Sequence, residues 1–275
     1  APPRRGRGAL EPRPWIEPLP PPTAASWRTL RPEPAQSLQD YRALQPNVPA
    51  PGRDRIVLQP LGHFPFDVIA HDELVMLVRA PELTLVAEVV EAAFGLPTTV
   101  LPPAALPETG LRWRSHDGQR QLDAISLIDH VAPQLPPDAY AMLSLVTADV
   151  FAWPEQRYAF GWSTYVERLG VCSFARLDPS AHGGPAPVQL ERTLAHRGLR
   201  IVAHELAHTF GLAHCQAGRC LLNGVADLVE LDALPLRLCA ACRDKLRDGI
   251  GLDLRGRDDA VAAVLRRRGL AEVAT

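Results

Sequence analysis

The sequence predicts an α/β (α+β) fold, a mixed twisted sheet covered by helices, with one long helix carrying the candidate site and a cysteine-braced segment after it. Three observations lead there. Apolar periods of two and of 3.6 alternate along residues 54–210 in the order β-α-β-α-β-β-β-α, which packs as a sheet with helices laid on it. A long helical pattern then runs to Phe210 and stops at Gly211. Finally, four of the five cysteines crowd into residues 215–242, a spacing that suits a metal knuckle better than a spread disulfide framework.

Taken in order, residues 1–53 hold 13 of the 28 prolines and show no apolar periodicity, so they read as a largely extended leader. Trp15 and Trp27 are its candidate anchors. The pattern changes at Asp54, where the main domain, residues 54–250, begins. Residues 55–59 (RIVLQ) read as a strand, and LTLVAEVVEAAF, residues 83–94, as a helix stopped by Gly95. Residues 98–101 form a short strand running into Pro102 and Pro103. A second amphipathic helix is expected over residues 119–131, and a buried strand over 139–147 (AYAMLSLVT). Residues 158–165 and 170–177 are two further strands joined by a polar turn. The long helix is expected over residues 190–210. Residues 251–275 form a helical tail whose Arg266, Arg267 and Arg268 suit the negative end of a helix dipole.

Bulk properties exclude several partners. A net charge of −2 gives no attraction to nucleic acid or to an anionic membrane. No apolar run approaches the ~20 residues of a membrane helix. The opening APPRRGRGALEPRPW has arginines without an apolar stretch behind them, unlike a secretory signal, so a cytoplasmic location is expected.

The chemistry concentrates in HELAHTFGLAHCQAGRC, residues 204–220. A helix puts i and i+4 on one face, so His204 and His208 can present imidazoles to one ion. Glu205 lies one step round the helix, too far aside to share that face, yet placed to reach a water held there. Zinc requires a third protein ligand and an open position for catalysis. Gly211 permits a sharp turn, after which His214 can return to the same ion. The spacing is HExxHxxGxxH, the long form of the metzincin motif. Two other readings exist: surface histidines without a metal, and Glu230 as third ligand in place of the more closely spaced His214.

Cys215 and Cys220, with Cys239 and Cys242, form two thiol pairs flanking a loop, the pattern of a four-cysteine zinc site. Four thiolates leave no open position, so such a site braces the chain behind His214. Two disulfides or free thiols are the alternative. Cys172, within GVCSFARL, reads as a packed core thiol.

The run HELAHTFGLAHC, Cys220 and Cys239-Ala-Ala-Cys242 resembles the signature of the archaemetzincins, a family of zinc peptidases. LQPLG (58–62), GQRQLDA (118–124), the stretch 149–161 and GVCSFARL (170–177) are similar to segments of that family, and SWRTLRPEPAQSLQDY (26–41) to a leader in its eukaryote-related forms. The resemblance implies a metzincin-like domain and two zinc ions, one catalytic and one structural. It also implies aminopeptidase or small-peptide hydrolase activity on peptide substrates. By motif position His204, His208 and His214 hold the catalytic ion, Glu205 is the general base, and the four paired cysteines hold the second ion. The strand around Cys172 to Arg176 becomes the edge along which a peptide lies. Tyr158 and Tyr165 lie near that edge as candidate oxyanion donors. One departure is Leu222, where the family usually has Met; the swap preserves volume and apolarity. A second is the stretch YAFGWST. Leu222 and the Pro-rich leader motivate the competing expectation, a zinc-stabilised binding or scaffold protein with little turnover.

Overall fold

The computed structural model describes residues 17–64, 66–71, 74–107, 109–182 and 188–270. Among the described residues the first elements are two short helices, α1 (Trp27–Leu30) and α2 (Leu38–Ala43), followed by β1 (Arg55–Leu61) and a hairpin of β2 (Phe66–His71) and β3 (Leu74–Arg79). Next come α3 (Leu83–Phe94), β4 (Thr98–Val100), β5 (Trp113–His116), β6 (Gln119–Asp123) and α4 (Ala124–Val131). Four strands follow: β7 (Ala139–Val146), β8 (Asp149–Phe151), β9 (Gly161–Thr164) and β10 (Leu169–Ser173). The long helix α5 (Leu190–Thr209) precedes α6 (Leu228–Ala233), α7 (Ala240–Ile250) and α8 (Arg257–Arg267).

The main sheet has the order β4-β1-β7-β10-β9, parallel except for β9 at the edge. Both faces are covered, so its inner strands are apolar on both sides. Ile56 and Leu58 of β1, with Tyr140, Leu143 and Leu145 of β7, face one core. Val57 and Leu61, with Ala139, Met142 and Val146, face the other. From Ala141 onward the alternation follows from the two-residue period of a strand, while a register shift against β1 at Arg55–Ile56 skips Tyr140 and reverses the faces of Ala139 and Tyr140. The first core is closed by α3 and α5, the second by α4.

Phe210, at the end of α5, fixes how that helix meets the sheet. Its ring stacks on Tyr140 at 4.7 Å and on Phe94 at 5.5 Å. Tyr140 Oη donates to Thr209 O, and Tyr41 Oη donates to Phe210 O at 2.8 Å. All four aromatic side chains are buried, and burial alone contributes about 1.5–3 kcal/mol for each large apolar group. The turn after α5 therefore starts from a rigid point.

One expected element is corrected. Residues 119–131 are not one helix: β6 occupies the first five, and α4 begins only at Ala124. Asp123 accepts from the N–H of Ile125 and of Ser126, which starts the helix at that residue. Ahead of it, β6 pairs antiparallel with β5 and parallel with β8. Gln121 is fully buried there, donating to Asp149 Oδ2 and Arg157 O, each at 2.8 Å. The helix of residues 83–94 and its left-handed Gly95 cap agree with expectation. The hairpin β2–β3 and helices α6 and α7 carry no counterpart in the sequence reading.

The described part of the Pro-rich segment lies against the domain. Arg219 N donates to Glu17 O, and Tyr41 of α2 is fully buried beside α5. Trp15 falls outside the described residues. At the other end α8 packs on α3, with Arg268 paired to both Glu82 and Glu88. Among the described residues no helix is long and apolar enough to cross a membrane.

Candidate metal centre

His204 and His208 stand one turn apart on α5, their Nε2 atoms 3.0 Å from each other. The helix ends at Gly211, whose φ of +84° is a left-handed conformation that side chains resist. The reversed chain brings the His214 ring to 5.3 Å from His204 and 4.9 Å from His208, centroid to centroid. The ligand atoms of the three lie within 4.8 Å of one another.

Each imidazole is oriented through its other nitrogen. His204 Nδ1 donates to Leu221 O at 2.8 Å and His208 Nδ1 to Leu212 O at 2.6 Å. His214 Nδ1 donates to the carboxylate of Glu33 at 2.7 Å. Carbonyls and carboxylates only accept here, so each Nδ1 carries a proton, and in a neutral imidazole Nε2 is then a bare lone pair. Two lone pairs 3.0 Å apart repel unless a cation lies between them. Burial, reinforced by the neighbouring imidazoles, lowers His204 well below the usual histidine range and His208 to about 3, which disfavours a proton in that role. The donor set fits zinc, which takes neutral imidazole nitrogens with the second nitrogen hydrogen-bonded.

Glu205 is 6% exposed and borders the same cleft. Its Oε2 accepts from Ser163 Oγ at 2.6 Å, and Gly161 leaves room for its side chain. Burial raises its carboxyl to about 8, against the lowering effect of the Ser163 bond. The cleft has a volume of about 840 Å³ and takes its walls from β9, α5 and the residues around α1.

Behind His214, Cys215, Cys220, Cys239 and Cys242 bring four buried sulfurs within 4.8 Å of one another. Cys215 and Cys239 are 3.6 Å apart, far beyond the ~2.05 Å of a disulfide. That distance lies near the ~3.8 Å edge of a tetrahedron with 2.3 Å zinc–sulfur arms. Asn223 braces the loop, accepting from Cys220 N and donating to Cys215 O and Gly218 O. Cys239 and Cys242 open α7, whose N-terminus favours anionic sulfur. Cys172 is fully buried on β10 and its thiol is pushed well up by burial and then by Glu205.

Several sequence expectations change here. The sheet edge is β9, not the strand around Cys172 to Arg176: β10 has β7 on one side and β9 on the other, so its backbone is already paired. Glu230 is engaged elsewhere, its carboxylate accepting from the N–H of Trp27 and of Ala226. Tyr158 donates to Ala226 O and lies under the Arg176 guanidinium, while Tyr165 lines the cleft. Leu222 is fully buried in the core, next to the Leu221 carbonyl that orients His204. Sequence reasoning missed Glu33 and Ser163. Ser163 lies within the stretch singled out as divergent, whereas no local pattern marks Glu33.

Residues 189–248 match Peptidase family M54. The chain is 30% identical to archaemetzincin-1 of Mus musculus over 262 residues, covering 84% of this chain and 50% of that protein. It thus spans about half the length of that relative. A zinc-dependent peptidase from Methanocorpusculum labreanum has a similar fold, with a TM-score of 0.53 at 22% identity, over 70% of this chain and 99% of the other. The archaemetzincin of Methanopyrus kandleri has a TM-score of 0.50 at 26% identity, over 74% of this chain and 98% of its own.

Proposed function

We propose that this chain is a zinc metallopeptidase of the archaemetzincin family acting on small peptides, with Glu205 as general base, a reading supported by its likeness to Peptidase family M54 and to archaemetzincin-1. The observation that carries the reading is the pair of lone-pair nitrogens 3.0 Å apart on His204 and His208, with His214 closing the triangle and a buried carboxyl beside it. These three imidazoles would hold the catalytic zinc, and the four paired cysteines would hold a structural one. Bound zinc supplies Lewis acidity to the scissile carbonyl and to water.

The protein's own groups do the rest. Ser163 occupies Glu205 Oε2, leaving Oε1 to take the proton from the attacking water and later return it to the leaving amine. The apolar packing of α5 keeps bulk water away from this carboxyl. A peptide adds to β9, the edge strand of the main sheet among the described residues, through main-chain hydrogen bonds, which demand little of its sequence. A cleft of about 840 Å³ suits a ligand of a few residues.

Glu205→Gln tests the assignment. The variant should keep its zinc and lose nearly all hydrolysis. Equal inertness of wild type and variant across a broad peptide panel would favour a zinc-stabilised binding protein instead.

A further inference from the structure

Two of the three imidazoles are oriented from within their own neighbourhood, His204 by Leu221 O and His208 by Leu212 O. His214 differs. Its Nδ1–H donates to Glu33, 181 residues earlier, in the connection between α1 and α2. The partner is also of another kind, a carboxylate instead of a carbonyl, and charge-assisted bonds of this sort are about twice as strong as neutral ones.

The segment carrying Glu33 is fastened around the turn that carries His214. Trp27 N donates to Glu230, and the indole meets the His214 ring edge-on at 5.1 Å. Gln36 reads the turn itself, donating to Gly211 O at 2.9 Å and accepting from Ala213 N at 3.2 Å. Tyr41 then pins α2 to Phe210 O. The carboxylate and the imidazole are thus held by one connected set of bonds, on both sides of the contact.

We propose that Glu33 is a positioning residue for the catalytic metal, its carboxylate fixing the His214 ring and strengthening Nε2 as a donor, so that residues 27–41 form part of the metal centre. The proposal rests on the reading of His214 as a ligand. Without Glu33 the His214 ring, on a loop and partly exposed, is free to rotate about its side-chain bonds and to exchange tautomers. Both changes weaken the third ligand. The thiolate site has its own bracing through Asn223 and is independent of Glu33.

The test uses the full chain and measures zinc affinity at each site by chelator competition, with the absorption of the cobalt(II) form reporting geometry at the imidazole site. Glu33→Ala should weaken that site roughly 10–100-fold, the usual effect of losing such a partner. Glu33→Gln retains an acceptor oxygen without the charge and should fall in between, with a shifted cobalt spectrum. In both variants the thiolate site should bind as in wild type, which also reports a folded chain. A role limited to tying down the segment would leave Glu33→Gln like wild type and make Tyr41→Phe, which loosens α2, as damaging as Glu33→Ala; that pattern overturns the proposal. So does wild-type affinity in both Glu33 variants while His214→Ala loses the metal, an outcome that leaves the ligand assignment standing. If His214→Ala itself binds normally, the ligand assignment falls and the proposal with it.

Discussion

Gly161→Ala offers a sharp probe of Glu205, because the new methyl group points at it. A Cβ on Gly161 would sit 2.5 Å from Glu205 Oε1 and 2.6 Å from Cγ and Cδ. Ordinary contact begins near 3.4 Å, so the carboxylate must withdraw by about 0.9 Å. That movement strains or breaks its 2.6 Å bond from Ser163, an interaction worth about 0.5–1.5 kcal/mol to a neutral carboxyl and about 1.5–3 kcal/mol to a carboxylate. A displacement of about 1 Å in a reacting group costs on the order of 100-fold in rate. The expectation is a loss of that size in kcat on any peptide the wild type cleaves, with zinc content unchanged. Shortening the acid makes room, so the penalty of Glu205→Asp should be smaller in the Gly161→Ala background, with a coupling of about 0.5–3 kcal/mol. Wild-type kcat with full zinc would refute the reasoning. A raised KM with unchanged kcat would also do so, because it would mean that the methyl group merely obstructs the strand edge.

Other expectations follow from the scaffold. Arg176 contacts both carboxylate oxygens of Asp149, at 2.9 and 2.6 Å, and Asp149 is 3% exposed. Arg176→Met should cost about 3 kcal/mol in urea unfolding at saturating zinc, because the buried carboxylate loses both guanidinium bonds and retains the bond from Gln121. Adding Asp149→Asn should recover part of that loss. Cys242→Ser should lower bound zinc from about two to about one per chain and reduce thermal stability, with the remaining ion still supporting some turnover. Metal analysis before and after mild chelation checks this directly.

What the sequence revealed was local. Helical spacing alone brings His204 and His208 together, and a glycine at 211 followed by His214 is readable because the whole constellation spans eleven positions. The helix of residues 83–94 was legible for the same reason, its period and its terminal Gly95 lying side by side. The errors arise where a distant partner decides. GQRQLD contains helix-compatible residues, but pairing with Trp113–His116 and Asp149–Phe151, together with the Asp123 cap, makes it a strand. The position of β9 at the edge depends on strand order, which the periodicity of GVCSFARL does not encode. Glu33 is the extreme case: a lone acid between prolines acquires meaning only when the chain folds back over 181 residues.

The central claim, two metal ions held by two distinct donor sets, is tested most directly by a crystal structure with anomalous scattering recorded on either side of the zinc absorption edge. The account predicts one peak bounded by Nε2 of His204, His208 and His214, and a second at the centre of the four sulfurs of Cys215, Cys220, Cys239 and Cys242. Imidazoles turned apart with no peak between them, in protein that retains the thiolate-bound ion, would contradict it.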